Sequence, residues 1–352
     1  MSLTINSALN SILLATLILS LIFPSSILGL SSPLYTPKTG EMIGKTVLIT
    51  GGTSGLGLET IKRLGGSGCR IIFTARSKEK GDNVLSTLPP STSASYVVMD
   101  LASFKSVREA SAEITSLLET PEEQEPSSIS VLLNNAGVMA LPDRRLTSDG
   151  NEFQFQTNHL GHFLFTLSLI NSRCLDLSSG RVINVASSAY QFARNGLNFD
   201  DLNASRSYSA WDAYGKSKLS NLLFTLALDK RFKDKGWGIR ATSLHPGVVR
   251  TDLGRYLFSS GGGEERGPSS DSGLLGKLGL KVVSLFTKSV EEGADTQIWL
   301  SAGNGGDVGG KFYVDKRARV LGENAIDVEA GEKLWRESER LTEVKWEEEG
   351  GN

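Results

Sequence analysis

Cysteine and histidine are both scarce in this chain. Two cysteines, Cys69 and Cys174, among 352 residues are too few for a disulfide framework or a thiolate metal site. Of three histidines, only His159 and His162 are close enough in sequence to share a helix face, and no third ligand stands beside them. No metal is expected. A charge field of one sign is missing as well: 37 basic against 39 acidic residues leave a formal net charge of −2. That balance excludes the broad basic surface that holds nucleic acid, and no long block of like charge marks an interaction tail. No internal repeat is present. What remains is an ordinary globular composition, 39% hydrophobic and 22% charged, enough to bury a sizeable core.

Charge is absent altogether from the side chains before Lys38. Residues 12–23 are almost entirely apolar, and a second apolar patch, 27–30, follows Pro24. Taken over residues 8–30 the stretch reaches the length of a bilayer-spanning helix, although Asn10, Pro24 and several serines weaken it. Its apolar centre alone is the size of a signal-peptide core, and a transit peptide would carry arginines that this stretch lacks. The expectation is an anchor or targeting segment over residues 1–37, retained in preference to cleaved, ahead of a catalytic domain over 38–345. Lys38 and Lys45, following the run, favour a cytosolic catalytic domain at the endoplasmic reticulum membrane. Plastid and mitochondrion are the alternatives.

From Lys45 onward, β-branched runs alternate with helical patterns. Strands are expected at 46–50, 70–74, 95–99, 130–134, 181–185 and 239–244, and helices at 57–64, 107–118, 153–170 and 213–232. Strand–helix alternation means parallel pairing through right-handed crossovers. The predicted fold is therefore α/β, a single doubly wound Rossmann-type domain whose parallel sheet is flanked by helices. Residues 119–128, acidic and carrying Pro121 and Pro126, read as a solvated turn. Residues 259–273, rich in Gly and Ser and lying between the last strand and 274–288, read as a flexible loop, either a lid over a ligand or a surface insertion.

Between the first strand and the first helix stands Thr50-Gly51-Gly52-Thr53-Ser54-Gly55-Leu56-Gly57. Glycines at such a junction permit a tight turn and let a pyrophosphate approach the positive end of the helix. By itself the pattern is weak, since any strand-to-helix turn favours glycine. Nineteen positions past Gly57, the second strand ends in Ala75-Arg76-Ser77-Lys78. An acid there would accept the hydroxyls of a ribose, whereas Arg76 suits a 2′-phosphate, so NADP(H) is expected over NAD. Asp100 and Leu101, closing the third strand, are placed to meet an adenine. Asn134, Ala136 and Gly137 are placed where a dinucleotide would cross the sheet.

Tyr214 and Lys218 are spaced i, i+4, one turn apart on a helix face. An ammonium so placed would lower the phenol's pKa and let it exchange a proton near neutral pH. Ser188, beyond the strand 181–185, could hydrogen-bond the same substrate oxygen. Each feature alone is common. Together and in order, TGxxxGxG, Asn134-Asn135-Ala136-Gly137, Asn158-His159-Leu160-Gly161, Ser187-Ser188, Tyr214…Lys218 and His245-Pro246-Gly247 resemble the short-chain dehydrogenase/reductase family. Asn158-His-Leu-Gly-His-Phe163, His245-Pro-Gly-Val-Val249, Glu291-Glu-Gly-Ala294 and Gly310-Lys-Phe-Tyr313 are similar to its retinol-dehydrogenase-like branch. Plant, algal and protochlorophyllide-reducing members share parts of the pattern.

The resemblance implies a tetrad of Asn158, Ser188, Tyr214 and Lys218. Tyr214 would be the acid/base and Ser188 the carbonyl orienter. Lys218 would hold the nicotinamide ribose, and Asn158 would position a water in a proton relay. Gly247 and Thr251 would contact the nicotinamide end. The implied activity is NADP(H)-dependent interconversion of a carbonyl and an alcohol, on a lipophilic aldehyde or ketone of retinal-like or lipid-derived type. Two other readings stand beside it. Protochlorophyllide reduction is disfavoured because no cysteine lies near Asn134–Gly137. A cofactor-binding regulator without turnover would have no use for Tyr214. The stretch 190–211, an insertion between Ser188 and Tyr214, would shape the substrate pocket.

Overall fold

The computed structural model describes residues 33–119, 127–249 and 287–347. The apolar leader up to residue 32, most of the acidic turn, the Gly/Ser-rich stretch 259–273 and Thr251 lie outside those residues.

Eight strands form one sheet in the order β3-β2-β1-β4-β5-β6-β7-β8. They are β1 Thr46–Ile49, β2 Arg70–Ala75, β3 Ala94–Val98, β4 Val131–Asn134, β5 Arg181–Val185, β6 Arg240–His245, β7 Phe312–Val314 and β8 Arg317–Arg319. Neighbours from β3 through β7 are parallel, and β8 alone is antiparallel. The central strands carry apolar residues on both faces (β1 is buried throughout), as a parallel sheet covered on both sides requires. The strand order reverses between β1 and β4, the switch point where a doubly wound sheet opens a crevice at its carboxyl edge.

One face is covered by α1 Gly55–Gly65, α2 Lys78–Thr87 and, later in the chain, α6 Val290–Ala302. The other is covered by α3 Phe104–Glu119, α4 Gly161–Asn171, α5 Ala210–Asp234 and α7 Val328–Thr342. Two core clusters follow from this division. One centres on Ile49, Ile61, Phe73 and Ile298; the other centres on Leu48, Phe163, Leu228 and Phe232. The expected doubly wound architecture is the observed one, with each of the six predicted strands within a residue of its observed limits.

Two features depart from the expectation. The helix predicted over 153–170 is not continuous α-helix: a short α-turn, Phe153–Phe155, runs into a π-helical turn, Gln156–Leu160, before α4. The extra residue in that turn rotates Asn158 relative to a regular helix. The β7–β8 hairpin was not foreseen. Its two loop residues, Asp315 and Lys316, sit at φ 53° and 59°, the conformation of a tight primed turn; Asp suits the first position, but Lys316 stands where glycine is usual. Tertiary ion pairs hold them instead: Lys288 with Asp315, and Lys316 with Asp295.

Asp295 is the centre of a larger buried knot. It pairs with Arg63 at 2.7 Å and accepts the backbone N–H of Tyr35 at 2.7 Å, while Lys316 Nζ also donates to the Pro33 carbonyl at 2.7 Å. The first described residues are thus fastened to α1, α6 and the β7–β8 turn. No helix among the described residues is long and apolar enough to cross a membrane.

Candidate active site

The glycine turn after β1 is built for close backbone approach. Gly51 has φ +69°, and a Cβ there would stand 2.8 Å from the Ala136 Cβ; a Cβ on Gly57 would stand 2.3 Å from the Gly51 carbonyl. Ser54 is exposed at the N-terminus of α1 and makes no side-chain cap there, so the first N–H groups of the helix are not occupied by it. Thr53 and Gly55 line the same turn, half-buried. Leu56, expected at the cofactor, packs its side chain into the core. Glycine at 51 and 57 lets the turn close on Ala136, Asn135 and itself, and the helix N-terminus that Ser54 leaves uncapped beside it fits a dinucleotide pyrophosphate.

Thr50 ties this turn to the end of β4. Its Oγ1 accepts the backbone N–H groups of Asn135 at 2.9 Å and Ala136 at 3.0 Å and lies 2.8 Å from His162 Nε2. Asn135 donates back to the Thr50 carbonyl at 2.9 Å. Asn134 was expected to meet the cofactor, and its side chain does not reach the crevice. Its amide donates to Thr166 Oγ1 and to Asn184 Oδ1, forming a buried polar ladder across β4 and β5. The period-two alternation of a strand is the reason, since it turns Asn134 and Asn135 to opposite faces. Asn135 and the buried Gln297 were missed. Gln297 donates to Thr60, Leu56 and Asn135 and so clamps α6 to the glycine turn, a partnership across more than two hundred positions that no local pattern announces.

Of the other expected cofactor contacts, Arg76 is exposed just past β2. Asp100 is exposed, with Oδ1 accepting the Ala102 N–H in a local turn, while Leu101 is buried and packs on α4 at Gly161. Gly137 faces Asn158 and Lys218: a Cβ there would meet Asn158 Oδ1 at 3.0 Å and Lys218 Nζ at 3.5 Å. Gly247, at φ +94°, follows β6 and lies beside Lys288.

Tyr214 and Lys218 lie on one face of α5, both buried, with the ammonium 5.7 Å from the phenol ring's centroid. Lys218 Nζ donates to the Val185 carbonyl at 2.9 Å. Burial pushes Lys218 down to about 8 and Tyr214 up to about 12, the latter opposed by a hydrogen bond with Ser187. The expected lowering of the phenol by the ammonium does not dominate, because the cation sits over the ring and burial outweighs it.

The hydroxyl that meets Tyr214 belongs to Ser187, where Ser188 was expected. Ser187 is still extended (φ −163°, ψ 149°) and caps the 3₁₀ turn Ser188–Phe192, its Oγ accepting the Ala189 N–H. Ser188 already belongs to that turn. A one-residue step beyond a strand changes the face, which motif matching at a Ser-Ser pair does not resolve. Asn158 is held through its whole side-chain amide. Its Oδ1 accepts the Val138 N–H at 2.8 Å, and its Nδ2 donates to the Val138 carbonyl and to Ser217 Oγ, both at 2.9 Å. Both amide protons are committed to holding the strand-β4 loop against α5.

The doubly wound sheet, its glycine turn at the switch point and the Tyr214–Lys218–Ser187 cluster at the carboxyl edge define a dinucleotide-binding α/β protein. The sequence matches the short chain dehydrogenase family over residues 45–260, and the chain belongs to that family. It is 36% identical over 320 residues to mouse retinol dehydrogenase 14, covering 87% of this chain and 88% of that one. It is 34% identical over 308 residues to the chloroplastic short-chain dehydrogenase TIC 32 A of Brassica napus, covering 85% and 88%. Among solved structures, an uncharacterized protein from Mycobacterium paratuberculosis superposes with a TM-score of 0.66 at 29% identity, covering 90% of this chain and all of that one.

Proposed function

We propose that this oxidoreductase interconverts a lipophilic carbonyl and its alcohol with NADP(H), Tyr214 transferring the proton. The observation that carries the reading is the joint placement of the Tyr214 phenol and the buried Lys218 ammonium on one face of α5, with the Ser187 hydroxyl reaching the phenol from the turn after β5. The bound dinucleotide would supply the hydride, and the cradle at Gly51–Gly57 would hold its pyrophosphate. Tyr214 would give its proton to the carbonyl oxygen, and Ser187 would hold that oxygen by a second hydrogen bond. Lys218, beside Gly137, would bind the ribose and stabilise the phenolate left behind. Asn158 would act by fixing the loop at Gly137–Val138. Arg76, exposed where a 2′-phosphate would project, supports NADP over NAD. The relatives' names and the apolar leader support a lipophilic substrate and attachment to a membrane.

Purified protein beginning at Pro33 should oxidise NADPH in preference to NADH with at least one of retinal, medium-chain aldehydes or ketosteroids. Tight NADPH binding without turnover of any of them would instead favour a regulator that senses the cofactor.

A further inference from the structure

The 3₁₀ turn that follows Ser187 packs on α5 across Gly215. A Cβ at Gly215 would lie 2.8 Å from the Ala189 carbonyl and 3.0 Å from the Phe192 Cβ, so only glycine lets the turn come this close. The approach sets Phe192 edge-on to Trp211, ring centroids 5.5 Å apart, and Trp211 in turn stands edge-on to Tyr214 at 6.1 Å. Trp211, Tyr214 and Lys218 follow one another at i, i+3 and i+7, along a single helix face. The neighbouring face carries the Asp212–Lys216 ion pair at 2.7 Å and is separate from the aromatic line.

Exposure changes along this line. Tyr214 is only 8% exposed, whereas Phe192 and Trp211 are each 38% exposed. Tyr190, two residues before Phe192, is buried against Phe312 and bonded to the Gly322 N–H, so the turn conceals one aromatic and leaves the next at the rim. Single exposed apolar residues are ordinary on protein surfaces. Two in contact, one of them resting on the proton-donating phenol, form a wall that continues the reaction site outward.

We propose that Phe192 and Trp211 form an aromatic subsite that receives the apolar tail of the substrate while its carbonyl sits at Tyr214 and Ser187. The inference rests on the carbonyl-oxidoreductase reading and adds to it the source of preference for apolar substrates. Edge-on rings offer flat apolar faces to a chain without any polar group that must be satisfied.

The test is the ratio of kcat/KM for decanal to that for propanal. Trp211→Ala should lower that ratio about tenfold, what roughly two methylenes withdrawn from water contribute. Phe192→Ala should act in the same direction, and Trp211→Phe should recover most of the loss, which separates a contact with the tail from damage to the fold. Calorimetry of 1-decanol binding to the NADPH-loaded protein gives a readout free of turnover, and Trp211→Ala should weaken it in parallel. An unchanged ratio in both alanine variants, with the wild type active, overturns the subsite and leaves the parent reading standing. No turnover of either aldehyde, of retinal or of a ketosteroid by the wild type overturns both.

Discussion

Thr50 and His162, 112 positions apart, share a hydrogen bond of 2.8 Å whose direction is set by their other partners. Thr50 Oγ1 already accepts two backbone N–H groups, so its one proton goes to His162 Nε2. His162 must then carry its own proton on Nδ1, which it donates to the Asn158 carbonyl at 3.0 Å. The glycine turn, the end of β4 and the π-turn at Asn158 are thereby wired through one neutral imidazole.

Nitrogen NMR should therefore show His162 as the Nδ1–H tautomer at neutral pH; an Nε2–H signal would contradict the chain of donors. Burial pushes His162 down to about 4, and His159 and His245 down to about 3. In the unfolded chain all three take up protons near about pH 6.5. Between those limits the unfolded state binds more protons, so stability is full above that value and falls as pH drops toward 4. Urea midpoints measured at descending pH should decline over that window, and His162→Gln should make the decline shallower.

Ser187→Ala and Ser188→Ala separate adjacent hydroxyls. Loss of the one bonded to Tyr214 should reduce turnover by about 10²-fold, the scale of one donor to a developing oxyanion. Ser188→Ala should leave turnover close to that of the wild type. The reverse order in steady-state kinetics would move the orienting role back to Ser188.

Tyr214→Phe keeps the ring and removes the transferable proton. Turnover should fall by about 10²-fold or more, with NADPH still bound when titrated by fluorescence. In the wild type, carbonyl reduction should decline as pH rises through about 8, where Lys218 gives up its charge. A rate profile flat across that region would mean that the ammonium does not assist.

Arg76→Asp should weaken NADPH binding by about tenfold, the cost of one lost charge-assisted pair and one added repulsion, while favouring NADH in relative terms. The ratio of the two cofactors' KM values reads the outcome directly; an unchanged ratio would make Arg76 a bystander.

Much of this arrangement was legible in the sequence. β1, β2 and β5 are short β-branched runs buried on both faces, and the glycine turn and the Tyr214–Lys218 spacing are local patterns with local causes. What escaped is decided by partners far along the chain. Lys316 takes a turn conformation that favours glycine, in a hairpin held by Lys288 and Asp295. Gln297 reaches the glycine turn from α6. At Ser187 and at Asn135 the residue type was foreseen but the face was not, since a single step along an extended chain exchanges one side of the sheet for the other.

The buried knot at Asp295 fixes where the chain enters the domain. Because Lys316 follows β7, a parallel strand, the Pro33 carbonyl is held at the carboxyl edge of the sheet, the same edge onto which Tyr214 and Gly247 open. A truncation that removes Tyr35 would strip a backbone donor from Asp295, so the shortest sound N-terminus begins no later than Pro33. The chain therefore enters the domain at the rim of the crevice and not at the opposite pole, so a label or carrier fused ahead of Pro33 would be borne beside the residues that line that crevice.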